Sequence, residues 1–261
     1  MKGAENTSSS IYLFMATLFV VTALASFVPT SLGLISRVFS GQQPLPPLVV
    51  HLHAAAMSLW LLLLLAQSFL MSTGRPTAHR KLGLISLVLA PCLLVSMYGM
   101  DIYGMETFNV ESDVLASGDT PPDQTAQLKQ YLSSILLIHG ASYLFFPGFY
   151  LWAILVRRKD PETHKRMMIL ATLVLMIPGI GRLLSVTSVI PDFGLNIIDA
   201  RHLYLLMLIA PALVYETVKQ RMPHRSYIVG VALIGTWVIA AHFLWRSPWW
   251  VENASKLLGV A

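Results

Sequence analysis

Seven apolar runs, each long enough to cross the hydrocarbon core of a bilayer, constrain this chain more than any other feature. They cover Ile11–Ile35, Pro47–Ser72, Leu82–Met100, Tyr131–Val156, Pro161–Ile190, Leu195–Val218 and Tyr227–Trp245. A spanning helix needs about 20 apolar residues to cross about 30 Å. At that depth backbone polar groups must pair within the segment, so the runs predict helices. Composition agrees: 55% of residues are hydrophobic and 12% charged, against about 45–50% and about 25% in soluble domains. The expected fold class is an all-α integral membrane protein, a single transmembrane domain over residues 1–261. Disordered, collagen-like and disulfide-framework classes are excluded, since the only cysteine, Cys92, lies in an apolar run. The first run also resembles a secretory signal, with Lys2 before it and Ala23-Leu24-Ala25 inside it. It continues about ten residues past Ala25, so a retained helix is expected.

Charge sets the expected orientation. One set of loops holds Lys2; Arg75, Arg80 and Lys81; Arg157, Arg158, Lys159, Lys165 and Arg166; and Lys219, Arg221 and Arg225, which is 12 of the 18 Lys and Arg. The alternate set carries six of the 13 acids between Asp101 and Asp123. The positive-inside rule then puts the N-terminus in the cytoplasm and the C-terminus outside. The segment 101–130, with Gly-Asp-Thr-Pro-Pro-Asp at 118–123, reads as the one long loop. Because topology accounts for the basic residues, nucleic-acid binding is not expected.

The eight histidines follow a pattern. His53 is followed 26 residues later by His79, His139 by His164 after 25, and His202 by His224 after 22. The local text repeats: His53-Ala54-Ala55 beside His139-Gly140-Ala141, and Pro76-Thr77-Ala78-His79 beside Pro161-Glu162-Thr163-His164. This predicts three parallel helical hairpins (spans 2–3, 4–5 and 6–7) preceded by one extra helix, an architecture known in membranes. His79, His164 and His224 fall at the cytoplasmic interface. There they either sit solvated among Lys and Arg or form a ring that binds an anion or a metal. Asp160-Pro161-Glu162 predicts a firm helix start just before His164.

His53, His139 and His202 lie inside the outer leaflet, with His51 and His242 nearby. Ionisable groups at membrane depth are costly and usually mark function. Asp199 and His202, three apart, share a helix face, a spacing that di-metal bundles use. Arg182 lies 16 residues past Arg166, about 24 Å along a helix, and needs an anion. Asp199, Asp192, a haem propionate or an anionic substrate would serve, and Asp101 and Glu106 lie at the same end. Imidazole suits iron, copper and zinc. One reading is a metal site of His53, His139 and His202, completed by His51, His242 or Asp199, in an oxidoreductase acting on a hydrophobic substrate or quinone. A second is a b-type haem between His53 and His139. A third is a proton-coupled transporter with histidine relays. Met97, Met100 and Met105 suit Cu(I), but methionine also fills gaps in apolar cores. Pro91, Pro147, Pro211 and Pro178-Gly179-Ile180-Gly181 predict kinks.

The stretch from His51-x-His53 through Trp60, Gln67 and Gly74-Arg75 to His79-Arg80-x-x-Gly83 resembles a group of uncharacterised bacterial multi-pass membrane proteins. The likeness extends loosely to His164-Lys165-Arg166-Met167 and Arg182. It implies a shared fold and a shared histidine set without an assigned activity; the expected location is a bacterial inner membrane, with segment 101–130 and the C-terminus periplasmic. The His-Arg-x-x-Gly turn is also similar to segments of small membrane cytochromes b, whose four-helix haem pattern is not reproduced here; the likeness raises the haem reading beside the metal reading without deciding between them.

Overall fold

The computed structural model describes residues 2–116 and 122–257. They form α1 (Lys2–Phe39), α2 (Leu48–Ser72), α3 (Pro76–Gly83), α4 (Ser86–Ala116), α5 (Pro122–Val156), α6 (Pro161–Val174), α7 (Ile177–Ser185), α8 (Ile197–Gln220), α9 (Arg225–Leu244) and α10 (Pro248–Leu257). Segments long and apolar enough to span a membrane lie in α1, α2, α4, α5, α8 and α9, and α6 with α7 make a seventh, bent by 42°. The chain is an all-α multi-pass membrane protein. Each straight span buries only 22–39% of its most apolar window, and Leu32, Leu62, Val95, Leu155 and Phe243 are exposed. In water such a surface would be an aggregation liability; in a bilayer it faces its solvent.

Successive spans pack as neighbours: α2 on α4, α5 on α6, and α8 on α9, with α1 against α2, α7 and α8. The centre is α6, where every residue from Arg166 to Val174 except Met168 is buried. Trp60 of α2 reaches it, its Nε1 donating to Thr172 Oγ1 (3.0 Å). Phe146 and Tyr150 of α5 pack edge-on to the same indole at 5.0 and 5.6 Å between ring centres.

The structure departs from the predicted spans in three places. The fifth run breaks between α6 and α7, because Pro178 has no N–H to offer the Val174 carbonyl. Ser142 of α5 supplies the missing donor, its hydroxyl bonding Val174 O at 2.7 Å. The other three prolines sit inside continuous helices: Pro91 in α4, Pro147 in α5 and Pro211 in α8. The third run divides as well, with α3 standing apart as a short helix before α4. The segment 101–130 is helical up to Ala116 and again from Pro122. From Asp101 to Ala116 it holds no proline and one glycine, so nothing stops α4 there. Residues 117–121, within the expected loop, lie outside the described residues.

Candidate functional site

Local signals deliver two histidines to the basic end of the bundle. α2 stops in a Schellman turn: Gly74 N–H bonds Met71 O at 3.2 Å and Arg75 N–H bonds Leu70 O at 2.8 Å. Gly74 sits at φ 70°, a left-handed conformation open to glycine at little cost. Pro76 then opens α3, where its missing N–H costs nothing, and His79 follows within one turn. On the other side, Asp160 caps α6, accepting from Thr163 N–H at 3.0 Å and Thr163 Oγ1 at 2.6 Å. His164 follows in the first turn.

The rings of His79 and His164 lie 6.5 Å apart, centre to centre, at 86°. His164 Nδ1–H donates to Ala153 O (2.9 Å), a carbonyl of the last turn of α5 that has no partner within the helix. His79 Nδ1–H donates to Gln67 O (3.4 Å). With the proton on Nδ1 the lone pair is on Nε2, and among the described residues neither Nε2 has a hydrogen-bond partner. Burial pushes His79 below its ordinary range, which favours the neutral ring. Both histidines line a cavity of about 490 Å³ with apolar walls from Trp60, Leu64, Met168 and Ile169. Arg80, Arg157, Arg158 and Lys165 also line it, and among the described residues no carboxylate does.

A second pair lies at the far end. Gly99 lets α4 approach α2 closely, since a Cβ there would meet Val49 Cγ2 at 2.8 Å. This brings Ser96 and Asp101 beside the histidines. Ser96 Oγ donates to Leu93 O (2.8 Å), so its contact with His53 Nδ1 (3.1 Å) is one in which the imidazole donates. His139 Nδ1–H donates to the buried Asp101 at 2.6 Å, and Tyr143 OH donates to the other carboxylate oxygen at 2.8 Å. Ser96 and Asp101, five residues apart on α4, thus hold His53 of α2 and His139 of α5 against the same helix.

The remaining predicted residues are distributed elsewhere. His242 Nδ1 meets Asp199 at 2.9 Å, joining α9 to α8. His202 is 1% exposed. Its Nδ1–H donates to Ile198 O at 2.8 Å, and its Nε2 is buried with no partner among the described residues. His51 is exposed in the first turn of α2. Arg182 lies over the Phe27 ring, 4.8 Å from its centre, while Asp192 accepts from Gly194 N–H in a turn. His224 caps α9, its Nδ1 accepting from Ser226 N–H (3.2 Å). Of the three basic-end histidines, His79 and His164 are therefore together, and His224 has a helix-starting role. Among the described residues, no three His, Cys, Asp or Glu side chains converge as a metal site.

Sequence reasoning did not single out Ser96, Tyr143 or the buried pair Arg166–Glu216 (2.5 Å). Tyr143 lies four residues after His139, one helical turn, and that spacing could have flagged it. No family model, curated protein or solved structure matches the chain.

Proposed function

We propose that this chain is an integral membrane electron-transfer protein that holds b-type haem between paired histidines. One observation supports the reading: the histidines come in pairs, each with Nδ1–H fixed by an oxygen acceptor and, among the described residues, with no hydrogen-bond partner on Nε2. A bare copper, zinc or iron ion takes three or four protein ligands. Haem brings its own equatorial nitrogens and needs only axial ones from the chain. His53 and His139 are the far-end pair. Fixing Nδ1–H to a carboxylate or hydroxyl sets the tautomer and ring orientation that axial ligation requires. When bound, the haem would supply one-electron storage, while the chain orients its ligands and keeps water out. The basic end faces the cytoplasm of a bacterial inner membrane in this reading, and a membrane-soluble quinone or similar apolar carrier is the natural partner.

The test is an absorption spectrum of the detergent-purified protein, with metal analysis on the same sample. A Soret band that shifts on dithionite reduction, with iron in step with haem, is the expected result. Stoichiometric copper, zinc or iron without a Soret band would replace haem by a bare metal centre. A colourless, metal-free protein that conducts protons in liposomes would overturn the redox reading in favour of transport.

A further inference from the structure

We propose that the cavity at the basic end is itself a haem b site, with His79 and His164 as its two axial ligands and the lining cations as seats for the propionates. The proposal rests on the haem reading above for the identity of the cofactor, and on separate residues for everything else.

Ring spacing is the first support. Imidazole nitrogens sit about 2 Å from a bound first-row metal, so two rings on opposite faces of one iron hold their centres roughly 6.4 Å apart. The observed separation is 6.5 Å. Both rings keep Nδ1–H on a main-chain carbonyl, which presents two lone pairs rather than two N–H donors. That distinction selects the ligand class. A phosphate or lipid headgroup would use the lining cations alone and leave the two acceptor nitrogens without a role. A metal held between them is bound by the lone pairs themselves.

The surroundings suit the rest of the group. The walls are apolar and aromatic, and the volume of about 490 Å³ falls in the range of sites for sizeable organic ligands, about 300–1,000 Å³. Among the described residues, four cations and no carboxylate line the cavity. Lys165 is already paired with Glu162 (2.6 Å). Arg80, Arg157 and Arg158 have no ion pair among the described residues, and a guanidinium fork matches a carboxylate in shape. Gln67, in the cavity wall, has both amide atoms buried without a partner among the described residues.

The experiment is haem quantification per chain in detergent-purified protein expressed with ample haem supply, with ferric low-spin resonance as a second readout. Wild type is expected to hold two haems, and His79→Ala or His164→Ala one. His139→Ala should also hold one, with the basic-end spectrum unchanged. His79→Gly keeps the proposal falsifiable against misfolding, because added imidazole should restore the lost low-spin signal. Arg157→Ala with Arg158→Ala should weaken retention of that haem on haemin titration. If His79→Ala and His164→Ala leave haem content unchanged while His139→Ala abolishes it, this site is refuted and the far-end one stands. If His79→Ala and His164→Ala lose haem while His139→Ala keeps the full wild-type content, this site stands and the far-end one is refuted. A wild-type protein without haem, its cavity filled by co-purified anionic phospholipid, overturns both.

Discussion

The two ends of the bundle fix their histidines by different means. At the basic end the acceptors are main-chain carbonyls, Ala153 O and Gln67 O. At the far end the paired histidines are held by side chains, His139 by Asp101 and His53 by Ser96, as His242 is by Asp199, while His202 there uses a carbonyl, Ile198 O. A carbonyl in a helix cannot be removed by substitution and carries no net charge. A carboxylate can be removed, and it raises the basicity of the imidazole it holds. One end is therefore built into the fold, and the other is tunable.

Burial marks a second contrast, and it predicts the largest effect. Arg166 and Glu216 form an ion pair in which both side chains are 3% exposed, with Glu162 also on Arg166 at 2.8 Å. Removing one partner of a buried pair strands the other charge and costs about 3–5 kcal/mol. Glu216→Ala leaves Arg166 only the exposed Glu162 as a partner, and should lower thermal stability in detergent by up to that amount. The carboxylate–histidine pair at the far end, His242–Asp199, is 49% and 24% exposed. Asp199→Ala should cost under about 1 kcal/mol, as solvent-screened pairs do. Equal losses for the two variants would break the contrast.

Asp101→Asn separates the ends next. Its amide can still accept from His139, but it no longer carries the charge that strengthens the ligand. Loss of such a partner typically costs about 10–100-fold in metal affinity. On the proposed haem reading, the far-end haem should be retained that much more weakly and titrate at a more positive potential, by about 60 mV for each tenfold preference in a one-electron step. The basic-end haem should titrate where it did before. A shift in both steps would show that the two sites are not independent.

What the sequence made legible follows the range of the interactions. The apolar runs, the Asp160-Pro161-Glu162 helix start and the repeat that relates His79 to His164 are all local text, and each has its counterpart in the structure. The paired arrangement itself was less accessible, because His53, His139 and His202 share an expected depth without sharing a neighbourhood. Which faces of α2, α5 and α8 meet is settled by packing against α6. The Val174 carbonyl is satisfied by Ser142, 32 positions earlier, and Arg166 meets Glu216, 50 positions later. Nothing in either residue's surroundings names its partner. The helical continuation through Asp101 was available from composition, since a polar stretch without helix breakers need not be a loop.

Between the two ends, the Trp60–Thr172 bond ties α2 to α6 beside the basic-end cavity. Thr172→Val removes the acceptor and leaves the indole N–H buried alone, at a cost of about 1–3 kcal/mol. Ala56 and Leu64 on the same helix should tolerate conservative changes better. Far-end haem content should be unaffected, while the basic-end signal should broaden as Trp60 loses its anchor in the cavity wall.

A further small effect is a pH dependence confined to the basic end. His224 Nδ1 caps α9 only as an acceptor, so protonation removes the cap. Burial first, then the Arg166 charge, hold His224 below its ordinary value of 6.5, with Glu216 and Asp160 opposing and Arg225 adding to the depression. Below about pH 6.5 the unfolded chain takes up a proton that the folded one refuses. Stability is therefore complete above that value and declines as pH falls through the lower folded value, by about 1 kcal/mol for a lost cap. His224→Asn keeps a capping oxygen that does not titrate in this range, so its melting temperature should vary less between pH 7.5 and 5.5, values chosen to straddle the unfolded pKa of about 6.5. Replacing His242 at the other end should leave the wild-type slope attributable to His224 in place. If His224→Asn retains the full pH slope, the titrating group lies elsewhere and the cap contributes nothing to it.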